Sequence, residues 1–139
     1  MTTNLSERAR DIIAETLPLM EQHRAPLEEA LERYMARQGP YDPSAGRTKV
    51  MTGAIMDMLL GHARELAGNG PAAGVVETAR RHRELAFGGE HYSSFGDGLK
   101  PIMKDVLGSK ATSPVLAAWT DAYWAIVRLL FARETRLAA

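Results

Sequence analysis

The feature that most constrains the fold of this chain is the spacing of its apolar residues, which recur three or four residues apart. Six stretches show this spacing, separated by glycine, proline and small polar residues. Such intervals place side chains on one face of an α-helix, whereas a half-buried β-strand requires strict alternation. No stretch alternates in that way. The pattern therefore predicts an all-α protein of six helices joined by short loops.

Capping residues and breakers predict where the first three helices lie. The first is predicted to start at Asn4, whose side chain caps it while Glu7 completes a capping box. A turn follows near Pro26, which suits the first turn of the second helix. That helix stops at a loop over residues 39–46, which is dense in breakers, and the third helix covers residues 47–67.

The same signals predict the last three helices. Pro71 is expected at the first position of the fourth helix, and Gly108 is expected to end the fifth. Pro101 lies inside the fifth helix and should bend it. The sixth helix is predicted to start at Ser113-Pro114, where a capping hydroxyl precedes a proline.

Composition limits the class of protein. A length of 139 residues suits one domain over residues 1–139. Seventeen basic side chains balance seventeen acidic ones, so the charge predicts no nucleic-acid partner. Cysteine is absent, which excludes disulfides, iron–sulfur clusters and thiolate zinc sites. Without a signal peptide or an apolar run of membrane-spanning length, we expect a cytoplasmic protein with no membrane partner.

The stretch with the most chemical content is residues 79–99, where a histidine precedes a Gly-Gly break and a tyrosine follows it. One helical face is shared by Val75, Ala79, His82 and Ala86, at intervals of 4, 3 and 4 residues. That register points His82 inward, although its arginine neighbours leave open a solvated basic face. After the break, Tyr92 and Phe95 begin another inward stripe.

Four motifs are spread along the chain. They are Ile12-Ile13-Ala-Glu-Thr-Leu-Pro18-Leu, Arg81-His82 with Tyr92 ten residues on, Val106-Leu107-Gly108, and Ala118-Trp119-Thr-Asp-Ala-Tyr123. In these motifs the chain resembles bacterial globins, closest to single-domain haemoglobins and the globin domain of flavohaemoglobins. The resemblance covers essentially the whole chain, with a gap near residues 39–46. It implies a globin fold whose helices pack around a haem pocket.

The resemblance also implies a ligand set. His82 falls where the family has the histidine that ligates the iron of haem b, and Tyr92 and Glu134 fall where two residues hydrogen-bond with it. A ligating imidazole donates its second N–H to an acceptor, which fixes the tautomer and strengthens the ligand. Glu134 also continues an inward stripe of its helix, and a partly buried carboxylate requires a donor. A hydrogen bond of purely structural value is the alternative for Tyr92 and Glu134.

The opposite side of the expected pocket departs from the family. Where relatives carry a tyrosine above the iron, this chain has Leu31 or Glu32, and Arg47 stands in place of a glutamine. The loop over residues 39–46 holds no phenylalanine to stack on haem, and Tyr41 is its sole aromatic residue. We expect the function of the chain to be decided on this side.

Other side chains are predicted to contact haem. Met51 is expected to line the pocket without coordinating iron, since methionine fills irregular apolar space. Val75 and Phe95 are expected beside it. Arg47 either acts as a gate to the pocket, where it reaches toward a bound ligand or toward a propionate, or it faces solvent. Arg81 either pairs with a propionate, whose geometry matches a guanidinium, or lies on a solvated face.

The three remaining histidines are expected outside the site. His62 shares the face of Met51 but is expected in solvent near its helix end, with a role as sixth iron ligand as the alternative. His23 and His91 are expected on the surface. The helical pattern contains no Gly-rich phosphate loop and no scaffold for a nucleophile elbow.

Together these features predict a haem-binding globin that takes a small diatomic ligand, O₂ or NO, as a carrier, a sensor or a slow NO- or peroxide-handling protein. Nitric oxide dioxygenase or weak peroxidase activity would require an external reductase, and a homodimer is a further expectation. Two alternatives stay open. One is a globin-fold interaction or sensory module without haem, and the other is a hexacoordinate redox or electron-transfer globin.

Overall fold

The computed structural model describes residues 5–38, 47–68 and 74–138, and gives only the backbone for residues 38, 47 and 132–138. Six helices occupy these ranges: α1 (Glu7–Gln22), α2 (Arg24–Gln38), α3 (Arg47–Ala67), α4 (Val75–Glu84), α5 (Gly89–Leu107) and α6 (Ser113–Ala138). A 3₁₀ turn at Gly108–Lys110 follows α5. The described ranges contain no strand. The predicted all-α class with six helices is confirmed, while the single domain over residues 1–139 stays a prediction.

The longest helix, α6, forms the centre of the core and packs against α1, α3, α4 and α5. Its inward side chains Trp119, Tyr123 and Ile126 are almost wholly buried. Trp119 also donates its indole N–H to the Thr16 hydroxyl at 2.8 Å, which attaches α1 to α6. Because α3, α4 and α5 all pack on α6, this helix positions the three helices that supply the site.

Helix α5 approaches α6 closely at Gly96. A Cβ at this position would lie 2.4 Å from Cζ2 of Trp124, so only glycine allows the approach. One turn earlier, the Tyr123 hydroxyl donates to the backbone carbonyl of Tyr92 at 2.7 Å. These two contacts fix the first half of α5 against α6 and therefore fix the position of Tyr92.

Arg24 of α2 links that helix to α3 through one surface ion pair, with Asp57. Arg24 donates to the carboxylates of Glu28 and Asp57, and also to the Gly53 carbonyl at 3.4 Å. The Asp57 side chain is 59 % exposed, and exposed pairs contribute at most about 1 kcal/mol. Within the described residues, no helix is both long and apolar enough to cross a bilayer.

The structure corrects two predicted helix starts. Helix α1 begins at Glu7, and its N-cap is Ser6, whose hydroxyl accepts the N–H of Ala9 at 3.1 Å. The predicted cap, Asn4, lies outside the described residues. Likewise α4 begins at Val75, so the predicted start was too early. Pro71, which was predicted to open that helix, also lies outside the described residues.

Predictions at the other helix ends had mixed outcomes. Gly108 does end α5, with φ 59°, and α6 does begin at Ser113. Helix α5 runs through Pro101 without interruption, and the bend there stays a prediction. Ala86 was assigned to the inward face of α4, which was wrong: α4 ends at Glu84, and Ala86 is exposed with φ 60°.

Candidate functional site

His82 lies on the inward face of α4 and is 1 % exposed. Val75 and Ala79, at the preceding positions of the same face, are buried with it, whereas Arg81 and Arg83 on either side are exposed. The register of the helix separates the imidazole from its basic neighbours. The structure thus excludes a solvated basic face as the place of His82.

Tyr92 meets this imidazole from α5. Its hydroxyl oxygen lies 2.7 Å from Nδ1 of His82, and the pair is buried. The Tyr92 ring is held edge-on by Phe131 of α6, with the ring centroids 5.4 Å apart. The hydrogen bond joins residues ten positions apart across the break between α4 and α5. It therefore depends on how the chain turns there.

That turn is a Schellman motif at the end of α4. The N–H of Phe87 donates to the carbonyl of His82 and the N–H of Ala86 donates to that of Arg83, both at 3.0 Å. Ala86 takes the left-handed conformation that the motif requires, with φ 60°. The residue after the left-handed position commonly packs on the one whose carbonyl it caps. In this chain those residues are Phe87 and His82.

The Phe87 ring accordingly lies flat on the imidazole. The two ring centroids are 4.4 Å apart and the planes are inclined by 18°. Phe87 also contacts Tyr92 and Phe95, at centroid distances of 5.4 and 6.1 Å. His82 is thus held by a hydrogen bond at its edge and by an aromatic ring on its face. The sequence prediction missed Phe87, because a motif that usually carries glycine has alanine at its left-handed position.

Burial decides the charge state of His82. The pKa of its imidazole is lowered from 6.5 to about 4, chiefly because the buried ring is costly to protonate. A hydrogen bond with the backbone of Ala54 on α3 opposes the shift, and the nearby Arg81 charge adds to it. A neutral imidazole has one N–H and one bare nitrogen. Since a carbonyl can only accept, the N–H faces Ala54, and Nδ1 accepts the Tyr92 hydroxyl proton.

A stripe of residues at helical spacing runs along α3, and its last member contacts α4. The residues of the stripe are Thr48, Met51, Ile55, Met58 and His62, and all five are buried. His62 fixes the orientation of this stripe, because its Nε2 lies 2.9 Å from the Thr78 hydroxyl of α4. Two side-chain atoms on it, Thr48 Oγ1 and His62 Nδ1, are buried without a hydrogen-bond partner in the described part of the chain.

The other predicted site residues fall into three groups: buried, exposed and outside the described side chains. Leu31 on α2, Met51 on α3 and Phe95 on α5 are almost wholly buried, as is Val75 at the start of α4. Arg81, in contrast, is exposed. Arg47 begins α3 and Glu134 lies within α6, but both side chains are outside the described residues. The structure therefore brings His82 and Tyr92 together and leaves the roles of Arg47 and Glu134 as predictions.

Two of the three histidines expected on the surface are buried. His62 is 5 % exposed, because α4 packs over the end of α3 where solvent was expected. His91 is buried at the start of α5, where its Nδ1 accepts the N–H of Gly88 at 2.7 Å. His23 is half-buried between α1 and α2, with Nδ1 3.0 Å from the Leu19 carbonyl. Both wrong predictions came from helix ends, where local spacing does not reveal the packing partner.

Among the described residues, no three histidine or acidic side chains converge on a point that could hold a metal ion. A metal at His82 would therefore need its other ligands from a bound group. A neutral imidazole in an apolar setting is a suitable donor to such a group.

No protein-family model matches the chain. Sequence relatives nevertheless cover nearly all of it. The flavohemoprotein of Xylella fastidiosa (strain 9a5c) is 31 % identical over 96 % of this chain and 35 % of that protein. The flavohemoprotein of Chromobacterium violaceum is 26 % identical over 94 % of the chain and 34 % of its own length.

A third relative, the flavohemoprotein of Bacillus subtilis (strain 168), is 27 % identical over 88 % of the chain and 32 % of its own length. The chain thus spans about a third of the length of the curated relatives it matches, 35 % in the Xylella protein. The three similarities cover 88 to 96 % of the chain. The chain is therefore a relative of the flavohemoproteins, consistent with the globin domain of flavohaemoglobins, and it has an all-α globin fold.

Proposed function

We propose that the chain binds haem b through His82, which ligates the iron on one side and leaves the other side for a small ligand. The observation that carries the proposal is the buried pair of His82 and Tyr92, with 2.7 Å between Nδ1 and the hydroxyl oxygen. A haem-ligating imidazole is ordinarily anchored in this way by its second nitrogen. The relatives are named flavohemoproteins, which agrees with a haem cofactor.

The donor chemistry fits haem iron. His82 is neutral at physiological pH because its pKa is lowered to about 4, so no proton competes with the metal. The Thr48 hydroxyl is buried without a hydrogen-bond partner in the described residues, and His62 Nδ1, also without a hydrogen bond there, lies 3.7 Å from a Glu65 carboxylate oxygen, so α3 has unused hydrogen-bonding capacity. The contact between His82 and the Ala54 backbone has to break, so haem binding requires α3 and α4 to separate.

Ligation also redistributes protons in the pair. A nitrogen that bonds iron has to be bare, so in the haem-bound chain Nδ1 of His82 would carry the imidazole proton and the Tyr92 hydroxyl, which lies 2.7 Å away in this structure, would accept it. The Tyr92 O–H then needs an acceptor of its own, and Glu134 is the proposed one. An imidazole that donates a hydrogen bond to Tyr92, supported by Glu134, is a stronger ligand to iron. When bound, the haem iron would supply the chemistry that binds O₂ or NO.

The far side of the site favours carriage or sensing over fast turnover. Leu31 and Met51 are apolar and buried, so neither can donate a hydrogen bond to a bound diatomic ligand. Nitric oxide dioxygenation combines one NO, one O₂ and one electron into nitrate, and peroxide reduction also consumes electrons. For either activity we propose a flavin-containing reductase as the electron donor, in line with the name of the relatives.

One observation favours a second candidate, a globin-fold interaction or sensory module without haem. In the described conformation the backbone of Ala54 occupies the ring nitrogen that iron would need. If that hydrogen bond is permanent, the buried His82–Tyr92 pair serves packing alone.

A haemin titration separates the two candidates. We expect the wild-type chain to develop a Soret band at one equivalent, and His82→Ala to lose it or shift it strongly. His23→Ala is the matched control, because His23 is only half-buried at the α1–α2 junction and should not alter the band. Absence of the band in the wild type would leave the haem-free module as the function. A band that survives His82→Ala unchanged would show that another residue ligates the iron.

The ferrous spectrum with and without CO tests the third alternative. A hexacoordinate globin shows sharp, split visible bands before CO is added, whereas a five-coordinate iron shows one broad band. Because Met51 and His62 are the side chains of the α3 stripe that could act as a sixth ligand, Met51→Leu and His62→Phe identify which one coordinates if the split bands occur.

A further inference from the structure

Thr48 presents an unused hydroxyl to the interior. The residue is 3 % exposed, and its Oγ1 is buried with no hydrogen-bond partner in the described part of the chain. Its backbone carbonyl, in contrast, accepts the Thr52 hydroxyl at 2.7 Å. A buried hydroxyl without a partner destabilises a protein, so such a group indicates a partner that is bound in the functional state.

The orientation of α3 places this hydroxyl on the side of the site. Thr48 shares the stripe of Met51 and His62, and His62 contacts Thr78 of α4. Ala54, which meets His82, lies six residues further along α3. At a rise of about 1.5 Å per residue this is roughly 9 Å. A cofactor bound at His82 would have to extend about this far along α3 to reach Thr48, and haem is wide enough to do so.

The electrostatics at this position favour an anion. Thr48 lies in the first turn of a helix of 21 residues, and that turn contains no acidic side chain. The first N–H groups of a long helix carry a partial positive charge that attracts carboxylates. Lys49, which is exposed beside Thr48, adds a positive charge. A carboxylate of the cofactor at this position would accept a hydrogen bond from the Thr48 hydroxyl. It would also interact favourably with the partial positive charge of the helix end.

We propose that Thr48, together with the N-terminus of α3, binds a propionate carboxylate of the haem. This assignment rests on the proposed function. It gives the chain a polar contact on α3 that does not depend on Arg47, and it orients the macrocycle with its carboxylate edge toward the start of α3.

The test compares Thr48→Val, which removes only the hydroxyl, with Thr48→Ser, which keeps it. Each variant is titrated with haemin and with haemin dimethyl ester. In the ester both propionates are esterified and carry no negative charge. We expect Thr48→Val to raise the dissociation constant for haemin roughly three- to tenfold, with Thr48→Ser near wild type. For the dimethyl ester, wild type and Thr48→Val should bind equally well. An equal loss with both compounds would overturn the carboxylate assignment, and so would no loss with haemin.

The haem-free chain gives a second readout that does not need haem. Thr48→Val should melt at the wild-type temperature or above, because it removes a hydroxyl that has no partner. Thr52→Val is the matched control: it removes an equally buried hydroxyl that does have a partner, at 2.7 Å, and should melt lower. A fall for Thr48→Val as large as that for Thr52→Val would show that the hydroxyl is already bonded, which contradicts the proposal.

The two proposals can fail separately. If the wild-type chain binds no haemin, the proposed function fails and the carboxylate contact fails with it. If the wild-type chain binds haemin and the ester series shows no dependence on Thr48, only the contact fails.

Discussion

His82 and Phe87 are joined twice. The N–H of Phe87 donates to the His82 carbonyl at 3.0 Å, and the phenyl ring stacks on the imidazole with 4.4 Å between centroids. A single helix-ending turn therefore fixes both the backbone and the side chain of the proposed ligand. This arrangement holds the plane of the imidazole by packing, while Tyr92 holds its rotation by a hydrogen bond.

Replacing Phe87 by leucine should loosen the imidazole. Leucine keeps the apolar volume but removes the stacked ring, and we expect the free energy of unfolding to fall by about 1–2 kcal/mol. In NMR spectra of the haem-free chain, the His82 ring protons should lose the upfield shift that a stacked ring causes. Phe87→Tyr keeps the ring and is the control. An unchanged His82 shift in Phe87→Leu would mean that the stack does not form in solution.

Ala86→Gly should stabilise the chain. Ala86 has φ 60°, and a left-handed backbone costs a residue with a Cβ about 1 kcal/mol more than it costs glycine. Urea denaturation should show that the free energy of unfolding of Ala86→Gly exceeds that of the wild type by this amount. Ala36→Gly, at an exposed position inside α2, should instead lose about 1 kcal/mol. A loss in both variants would show that Ala86 is not left-handed.

Stability of the haem-free chain should fall with acid between pH 6.5 and pH 4. The pKa of His82 is lowered to about 4 by burial, whereas in the unfolded chain it is near 6.5. In this window the unfolded chain binds the extra proton, so the free energy of unfolding rises with pH, by up to roughly 3 kcal/mol in total. Urea denaturation at intervals of half a pH unit measures the slope. In His82→Leu the dependence of the free energy of unfolding on pH that comes from His82 should disappear. An equal dependence in that variant would mean that other groups cause it.

Tyr92→Phe should expose the difference between a structural and a ligand-positioning hydroxyl. Loss of the Tyr92 hydroxyl leaves Nδ1 of His82 buried without a donor. The free energy of unfolding of the haem-free chain should therefore fall by about 1–3 kcal/mol. Thr16→Val is the control, because it removes a hydroxyl that bonds the Trp119 indole N–H at 2.8 Å between α1 and α6 and contacts neither Tyr92 nor the imidazole. Both should destabilise the chain, but only Tyr92→Phe should shift the ferrous absorption bands of the haem-loaded protein. An identical spectrum in both would give Tyr92 a structural role only.

Gly96→Ala should disturb the α5–α6 contact. Its Cβ would lie 2.4 Å from Cζ2 of Trp124, so one helix has to move, at a cost of about 1–3 kcal/mol. Gly61→Ala, on α3 with no atom within 4 Å of the new Cβ, should gain about 1 kcal/mol from helix propensity. Thermal melting distinguishes the two variants, because the melting temperature should fall for Gly96→Ala and rise for Gly61→Ala. A neutral Gly96→Ala would mean that α5 and α6 lie further apart in solution.

The spacing of apolar residues was enough to predict the six helices and the inward direction of His82 and Tyr92, because both depend on local periodicity. It was not enough for the ends of α4. The left-handed turn at Ala86 lacks the glycine that usually marks it, so Phe87 was missed.

His62 and His91 show a second limit. Each is buried by a partner that becomes visible only when the structure is known: Thr78, which lies 16 residues from His62, and the Gly88 N–H that His91 caps. Thr48 is adjacent to Arg47 in the sequence, and neither its residue type nor its spacing distinguishes an unbonded hydroxyl from a bonded one.

The double link between His82 and Phe87 has a mechanical consequence. Phe87 is followed directly by Gly88 and by the first residues of α5, so the turn links the imidazole to the start of α5. Helix α3, in contrast, packs against α1, α2 and α6. Any separation that frees the imidazole from Ala54 should therefore carry the turn along with the histidine, while α3 keeps its three neighbours.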